Sequence, residues 1–186
     1  MRFFIPVALA CACVAATRPT SAGVTLDVSA TASPYLAGMP VGSTLPFGDS
    51  APSQSPAEVL GLPFSAGDSL RFSASGSGSY NASEYSGPDG LFTFSRGSAN
   101  GISGYTVPVN SLLGVFLGPE RPDGFSAPAS LDFGATASRD YLSLSPELRQ
   151  VFFIGDGLTS SSVAQKIVVP AGATRLFLGF ADGSEW

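Results

Sequence analysis

The sequence predicts an all-β fold, a β-sandwich or jelly roll of about eight short antiparallel strands. The first observation is that short apolar runs alternate with stretches rich in Gly, Pro and Ser; the 186 residues include 22 Gly and 15 Pro. The second is that Asp-Gly pairs, which form tight turns, recur at 89–90, 123–124, 156–157 and 182–183. The third is that no run has the length and period of a long helix.

Two of the predicted strands are continuous apolar runs. The predicted strands are 24–28, 58–64, 69–74, 91–94, 112–117, 151–154, 165–169 and 174–180. Leu112–Leu117 and Val151–Ile154 are apolar throughout, as in strands that are buried on both faces. Residues 33–56 are rich in Ser, Pro and Gly and predict a long loop. A single helical turn is expected at 145–148, where Ser145 would cap a turn that begins with Pro.

Residues 1–22 have the pattern of a secretory signal peptide. Arg2 precedes the apolar stretch 3–16, and a small-x-small pattern ending at Ala22 predicts cleavage before residue 23. Both cysteines lie within this leader, so the exported chain would hold no disulfide and no thiol nucleophile. We therefore expect a secreted or cell-surface protein whose residues 23–186 form one domain without stable membrane insertion.

Composition excludes several functional classes. The chain has no histidine, which rules out Ser-His-Asp and Cys-His catalysis and zinc sites built on imidazole. The net charge is −5, and it would become −7 once Arg2 and Arg18 leave with the leader. This acidity argues against a nucleic-acid partner, because phosphate backbones require a basic surface.

Three stretches together resemble a known lectin family. The sequence AGDSLRFSASGSGSY at 66–80, followed by GPDG at 87–90, resembles a run found in the calcium-dependent, galactose-binding bacterial lectins. VFFIGDGL at 151–158 resembles the strand and turn of that family, and QKIVVPAGATRLFLG at 165–179 resembles its last hairpin. These segments are also similar in sequence to exported bacterial proteins that carry a PEP-CTERM sorting signal. The resemblance covers about residues 57–186, and 119–149 looks like an insertion.

The resemblance implies a galactose-binding-like sandwich with a calcium site. In that family, a tyrosine carbonyl, the aspartate after the last hairpin, and Thr and Asn residues beyond it hold the ion, and sugar hydroxyls complete its shell. Carried over to this chain, Tyr80 would supply its main-chain oxygen and Asp182 its carboxylate. The sequence as given ends at Trp186, so we expect the remaining ligands and the final strand to be missing. An open edge along 174–180 and self-association would follow.

Three functional hypotheses remain open from the residues. The first is an exported, non-catalytic carbohydrate-binding or adhesion module for a glycan or extracellular polysaccharide, calcium-assisted at Tyr80 and Asp182, with Trp186 as a stacking platform. The second is a structural matrix protein with the same fold and a degenerate site. The third, a glycosidase with two carboxylates, is disfavoured because no spacing singles out a pair. Asp89, Asp123 and Asp156 are interpreted as turn residues.

Overall fold

The computed structural model describes residues 23–45 and 56–182, so the predicted leader and Trp186 lie outside the described residues. This part of the chain is an all-β sandwich, as predicted. Its only α-helix is α1 (Thr136–Arg139), and two 3-10 turns span Pro34–Leu36 and Pro122–Gly124. None of the helices in these ranges is long and apolar enough to cross a membrane.

Twelve strands are present in the described residues. In chain order they are β1 (Ala57–Glu58), β2 (Ser69–Leu70), β3 (Gly78–Ser79), β4 (Tyr85–Ser86), β5 (Thr93–Arg96), β6 (Tyr105–Pro108), β7 (Leu112–Leu117), β8 (Leu131–Asp132), β9 (Ser143–Leu144), β10 (Val151–Phe153), β11 (Lys166–Val168) and β12 (Arg175–Phe180). They form a four-stranded sheet ordered β1-β12-β7-β10, two three-stranded sheets ordered β2-β11-β9 and β5-β6-β8, and the hairpin β3-β4.

The four-stranded sheet is antiparallel and places β12 in its interior. β12 pairs with β7 along its whole length, with Phe180 opposite Leu112, and with β1 on its other side. Two further backbone hydrogen bonds lie on the same side of β12 as β1. Val59 N donates to Leu176 O (2.9 Å), and Phe180 N donates to Ala32 O (2.7 Å). The expected open edge along 174–180 is therefore wrong, and the argument for self-association that depended on it falls away.

The same sheet is covered on both faces, which explains its continuous apolar strands. Every residue of β7 and β10 is buried. Phe152 and Phe153 are consecutive in β10 and so point to opposite faces. Phe152 stacks on Phe116 at 5.3 Å between ring centroids, while Phe153 packs on Phe133 at 5.9 Å. The prediction that 112–117 and 151–154 are strands buried on both faces is confirmed, with β10 ending one residue earlier.

Several local expectations are wrong. Strands number twelve rather than about eight, and two pairs, β6-β8 and β9-β11, are parallel. Residues 24–28 alternate like a strand but have no strand partner. No helical turn forms at 145–148. The turn that is present is closed by Gln150 N donating to Glu147 O (3.3 Å), and the Glu147 N–H donates to the Gln150 side chain (2.9 Å).

The predicted loop 33–56 contributes to the core in its described part. Tyr35 lies in a 3-10 turn, is fully buried and stacks on Tyr105 with 5.5 Å between centroids. Its hydroxyl donates to Gly97 O at 2.8 Å. Residues 119–149 likewise join the sandwich through β8 and β9; their being an insertion stays a prediction.

Candidate functional site

The tip of the β3-β4 hairpin is organised by one asparagine side chain. Residues 80–84 connect the two strands, and Asn81 Oδ1 accepts hydrogen bonds from Ser83 N (3.0 Å), Ser83 Oγ (3.0 Å) and Glu84 N (2.8 Å). Ala82 has a positive φ of 59°, which lets the chain turn sharply at the tip. Short polar side chains that bond to nearby backbone groups stabilise such turns. The tip therefore has a defined shape despite its exposure.

Tyr80 is held at this tip by contacts in two directions. Its hydroxyl donates to Glu84 Oε2, and the same oxygen accepts a hydrogen bond from Asn81 Nδ2 at 3.0 Å. The hydrogen bond from the Tyr80 hydroxyl to Glu84 is the largest of the effects that raise the pKa of Tyr80. The Tyr80 ring also meets the ring of Phe92 edge-on, with 5.5 Å between centroids and 88° between planes. We call Tyr80, Asn81, Glu84 and Phe92 the hairpin cluster.

The hairpin cluster presents apolar and polar groups side by side at the surface. The Phe92 side chain is 54% exposed, and the adjacent Tyr85 is 64% exposed. Glu84 and Asn81 are also exposed. An aromatic face next to a carboxylate and an amide can contact both an apolar surface and hydroxyl groups of one small ligand.

Buried Asn110 connects the hairpin cluster to the central sheet. Its backbone N–H donates to Ala181 O at 2.7 Å. Its side-chain Nδ2 donates to Gly78 O (3.3 Å) and to Glu84 O (3.4 Å). Asn110 is 2% exposed and has a positive φ of 63°. It therefore brings the Tyr80 hairpin and the end of β12, which precedes Asp182, to the same end of the molecule.

Asp182 and Tyr80 nevertheless face different neighbours. Asp182 is buried at 7% exposure. Burial raises the pKa of Tyr105, and the Asp182 charge adds to that shift while Arg96 opposes it. Asp182 thus lies within electrostatic range of a buried phenol, whereas Tyr80 contacts the exposed Phe92. The two predicted site residues lie at the same end of the molecule, and a ligand shared by the Asp182 carboxylate and the Tyr80 main-chain oxygen stays a prediction.

Acidic side chains do not cluster in the described residues. Calcium takes about six to eight oxygen ligands, yet in 23–45 and 56–182 no three acidic, histidine or cysteine side chains group closely enough to hold a metal ion. A calcium-assisted contact at Tyr80 and Asp182, which would use a main-chain oxygen and one carboxylate, stays a prediction.

The three turn aspartates all lie in turns, and Asp89 bonds across to the turn that holds Asp156. Asp156 Oδ1 accepts from Leu158 N (2.8 Å), and Asp89 Oδ1 accepts from Asp156 N (2.9 Å). Asp123 lies in a 3-10 turn and pairs with Arg121 at 2.5 Å between Oδ2 and Nη2. The interpretation of these three residues as turn residues is confirmed.

Sequence reasoning missed Asn110 and most of the hairpin cluster. The signal for Asn81 and Glu84 was present as a short polar stretch after Tyr80, but Phe92 and Asn110 come close to them only through the fold.

Comparison of the chain with protein-family models, curated proteins and solved structures finds no match.

Proposed function

We propose that this protein is an exported, non-catalytic carbohydrate-binding module whose hairpin cluster contacts the sugar. The observation that carries the proposal is the exposed Phe92 ring, fixed edge-on against Tyr80 beside the Glu84 carboxylate. A sugar ring has an apolar face of C–H groups, which suits an aromatic side chain, and a rim of hydroxyls that need hydrogen-bond partners. The cluster offers both kinds of contact within one hairpin.

The cluster is organised before any ligand arrives, which favours binding. Tyr80 and Asn81 already hold the Glu84 carboxylate through one of its oxygens. A carboxylate has about four acceptor positions, so acceptor capacity remains for sugar hydroxyls. Because these side chains lose little freedom on binding, less of the interaction energy is spent on ordering them.

A glycan array with neutral oligosaccharides, galactosides included, tests the proposal. Phe92→Ala removes the exposed ring, and Leu91→Ala is the matched control because Leu91 is an exposed apolar neighbour outside the cluster. We expect Phe92→Ala to weaken binding about tenfold or more and Leu91→Ala to leave it unchanged. Folding of both variants is checked by circular dichroism. Absence of binding by the wild-type protein, or equal effects of the two variants, would overturn the proposal.

Calcium dependence is a separate arm of the same experiment. Binding that is lost with a chelator and restored with calcium would support the calcium-assisted form of the proposal, with Asp182 and the Tyr80 carbonyl as ligands. Binding that is unchanged by the chelator would leave the hairpin cluster as a sugar site that needs no metal ion.

A structural protein without a ligand is the second candidate. The observation that favours it is that the hydrogen bonds of Asn81 stay within the hairpin, as in a purely structural turn. This candidate predicts no change in melting temperature with any sugar.

A glycosidase would need two carboxyl groups at roughly 5–9 Å from each other. Asp182 is the single buried carboxylate in the part of the chain that is described, so no buried pair is present there.

A further inference from the structure

A groove between two extended segments lies at one edge of the sandwich. Its walls are residues 23–28 and 69–77, it has a volume of about 600 Å³, and we call it the edge groove. The longer wall begins with β2, which is the edge strand of the sheet ordered β2-β11-β9. Neither 23–28 nor 71–77 contains a turn or a bend, and neither is paired as a strand. The edge groove therefore lies where a further strand of that sheet would be placed.

The floor of the edge groove is apolar and belongs to the four-stranded sheet. Leu178 and Phe180 of β12 and Leu112 of β7 line it. Both walls add apolar side chains at every second position, half-buried against the core, while the residues between them are exposed. These half-buried residues are Leu26, Val28, Leu70, Phe72 and Ala74. A strand in the edge groove would bury its own alternate side chains among them.

The longer wall also directs unused main-chain groups into the edge groove. Along an extended chain, the N–H and C=O groups of successive residues point to opposite sides. Ala74 N donates to Asp156 O in the turn after β10 (3.1 Å), and Asp68 O accepts a hydrogen bond from the residue that follows β11 (2.9 Å). Residues of even number in this wall therefore point towards β11 and that turn. The main-chain groups of Arg71 and Ser73 point to the other side, and within the described residues they make no hydrogen bond.

The shorter wall is unpaired as well. Residues 24–28 alternate like a strand, yet their main chain makes no hydrogen bond to any described part of the chain. Unpaired extended main chain at a sheet edge is a template for pairing with a further strand. A strand in the edge groove would have such a template on each side.

Two exposed charges favour particular side chains in the added strand. Asp27 lies in the shorter wall and Arg71 in the longer one, and both side chains are exposed. Neither has a partner of opposite charge among the described residues. Because opposite charges on neighbouring strands attract, a basic residue beside Asp27 and an acidic residue beside Arg71 would both be favourable.

We propose that the edge groove is a strand-addition site for an extended segment of another polypeptide. The segment is apolar at alternate positions and carries a basic and an acidic residue on its other face. Gly76, with a φ of 107°, ends the regular extended wall, so the paired stretch is residues 71–75, about 16 Å long. Main-chain hydrogen bonds give affinity in this mode of recognition, and contacts of the alternate side chains give specificity. The proposal is independent of sugar binding at the hairpin cluster.

Isothermal titration calorimetry with designed peptides tests the site. The probe is a capped nonapeptide in which valine alternates with threonine, with one threonine replaced by lysine and another by glutamate. One control peptide has the same composition in an order without alternation. A second is N-methylated at alternate residues, which removes main-chain donors and keeps every side chain. We expect the probe to bind and both controls to bind at least about tenfold more weakly.

Two variants at one position test the wall from the side of the protein. Ser73→Pro removes the main-chain N–H that points into the edge groove, whereas the matched control Ser73→Ala keeps that N–H. Since this N–H makes no hydrogen bond among the described residues, we expect both variants to fold, as checked by circular dichroism. Ser73→Pro should weaken probe binding about tenfold, and Ser73→Ala should leave it unchanged. In the wild-type protein, the probe should slow hydrogen exchange of the Arg71 and Ser73 amides.

The outcomes separate strand addition from other uses of the edge groove. Equal affinity for the probe and the N-methylated peptide, or exchange at Arg71 and Ser73 that the probe leaves unchanged, overturns the proposal even where Ser73→Pro does not fold. Absence of probe binding also overturns it and leaves sugar binding at the hairpin cluster unaffected. Self-association of the wild-type protein in sedimentation, lost in Ser73→Pro and kept in Ser73→Ala, would assign the edge groove to a second copy of this chain instead.

Discussion

Replacing Asn110 by alanine tests whether one buried side chain ties the hairpin to the central sheet. Asn110 Nδ2 is a donor to two main-chain carbonyls of the hairpin, Gly78 O at 3.3 Å and Glu84 O at 3.4 Å. Its φ of 63° lies in the left-handed region, which asparagine tolerates better than alanine. Asn110→Ala therefore removes both hydrogen bonds and adds backbone strain.

The expected loss of stability follows from these two effects. Both bonds are long, so each carbonyl that loses its donor costs about 0.5–1 kcal/mol, at the low end of the usual range. Alanine in the left-handed region adds about 1 kcal/mol. The free energy of unfolding should fall by about 2–3 kcal/mol, which corresponds to a decrease in Tm of about 5–10 °C for a chain of this size.

Thermal unfolding followed by circular dichroism measures the effect, with Asn110→Gly as the matched control. Glycine removes the same hydrogen bonds but accepts the positive φ without strain, so it should lose only about 1–2 kcal/mol. An Asn110→Ala variant with the same Tm as the wild-type protein would refute the role of the side chain. A glycine variant that is less stable than the alanine variant would refute the strained backbone at this position.

Two further predictions concern the core. Gly114→Ala would place a β-carbon 2.4 Å from Phe152 Cζ, and we expect this overpacking to cost about 1–3 kcal/mol in urea denaturation; unchanged stability would contradict the close packing. Burial raises the pKa of Tyr35, Tyr105 and Tyr141, so their contribution to stability is complete below the unfolded pKa of about 10 and declines as the pH rises above it. The urea midpoint should fall above that pH, and the three tyrosines should ionise only on unfolding, as read by tyrosinate absorbance; their titration near pH 10 in the folded protein would contradict this.

The hydrophobic pattern was sufficient to predict the central strands. A strand covered on both faces needs apolar residues at every position, and Leu112–Leu117 and Val151–Phe153 show this in the sequence itself. The turns at the Asp-Gly pairs 89–90, 123–124 and 156–157 were likewise predicted correctly, because bonds such as that from Leu158 N to Asp156 are local, whereas the pair at 182–183 ends outside the described residues. The weaker pattern at 24–28 also alternates, but a strand requires a partner, and alternation alone does not supply one.

The sequence alone therefore determined the all-β class, the buried strands and the turns, since these depend on residues close together in the chain. The tertiary structure decided which edges are covered and which side chains meet. Ala32 and β1, which are distant from β12 in the sequence, cover the edge of β12 that β7 leaves open. Asn110 bonds to hairpin carbonyls of residues more than twenty positions earlier in the sequence. Phe92 joins Tyr80 only because the fold returns the chain to the hairpin. Contacts over such separations leave no periodic signal, because their geometry is set by the packing of whole sheets.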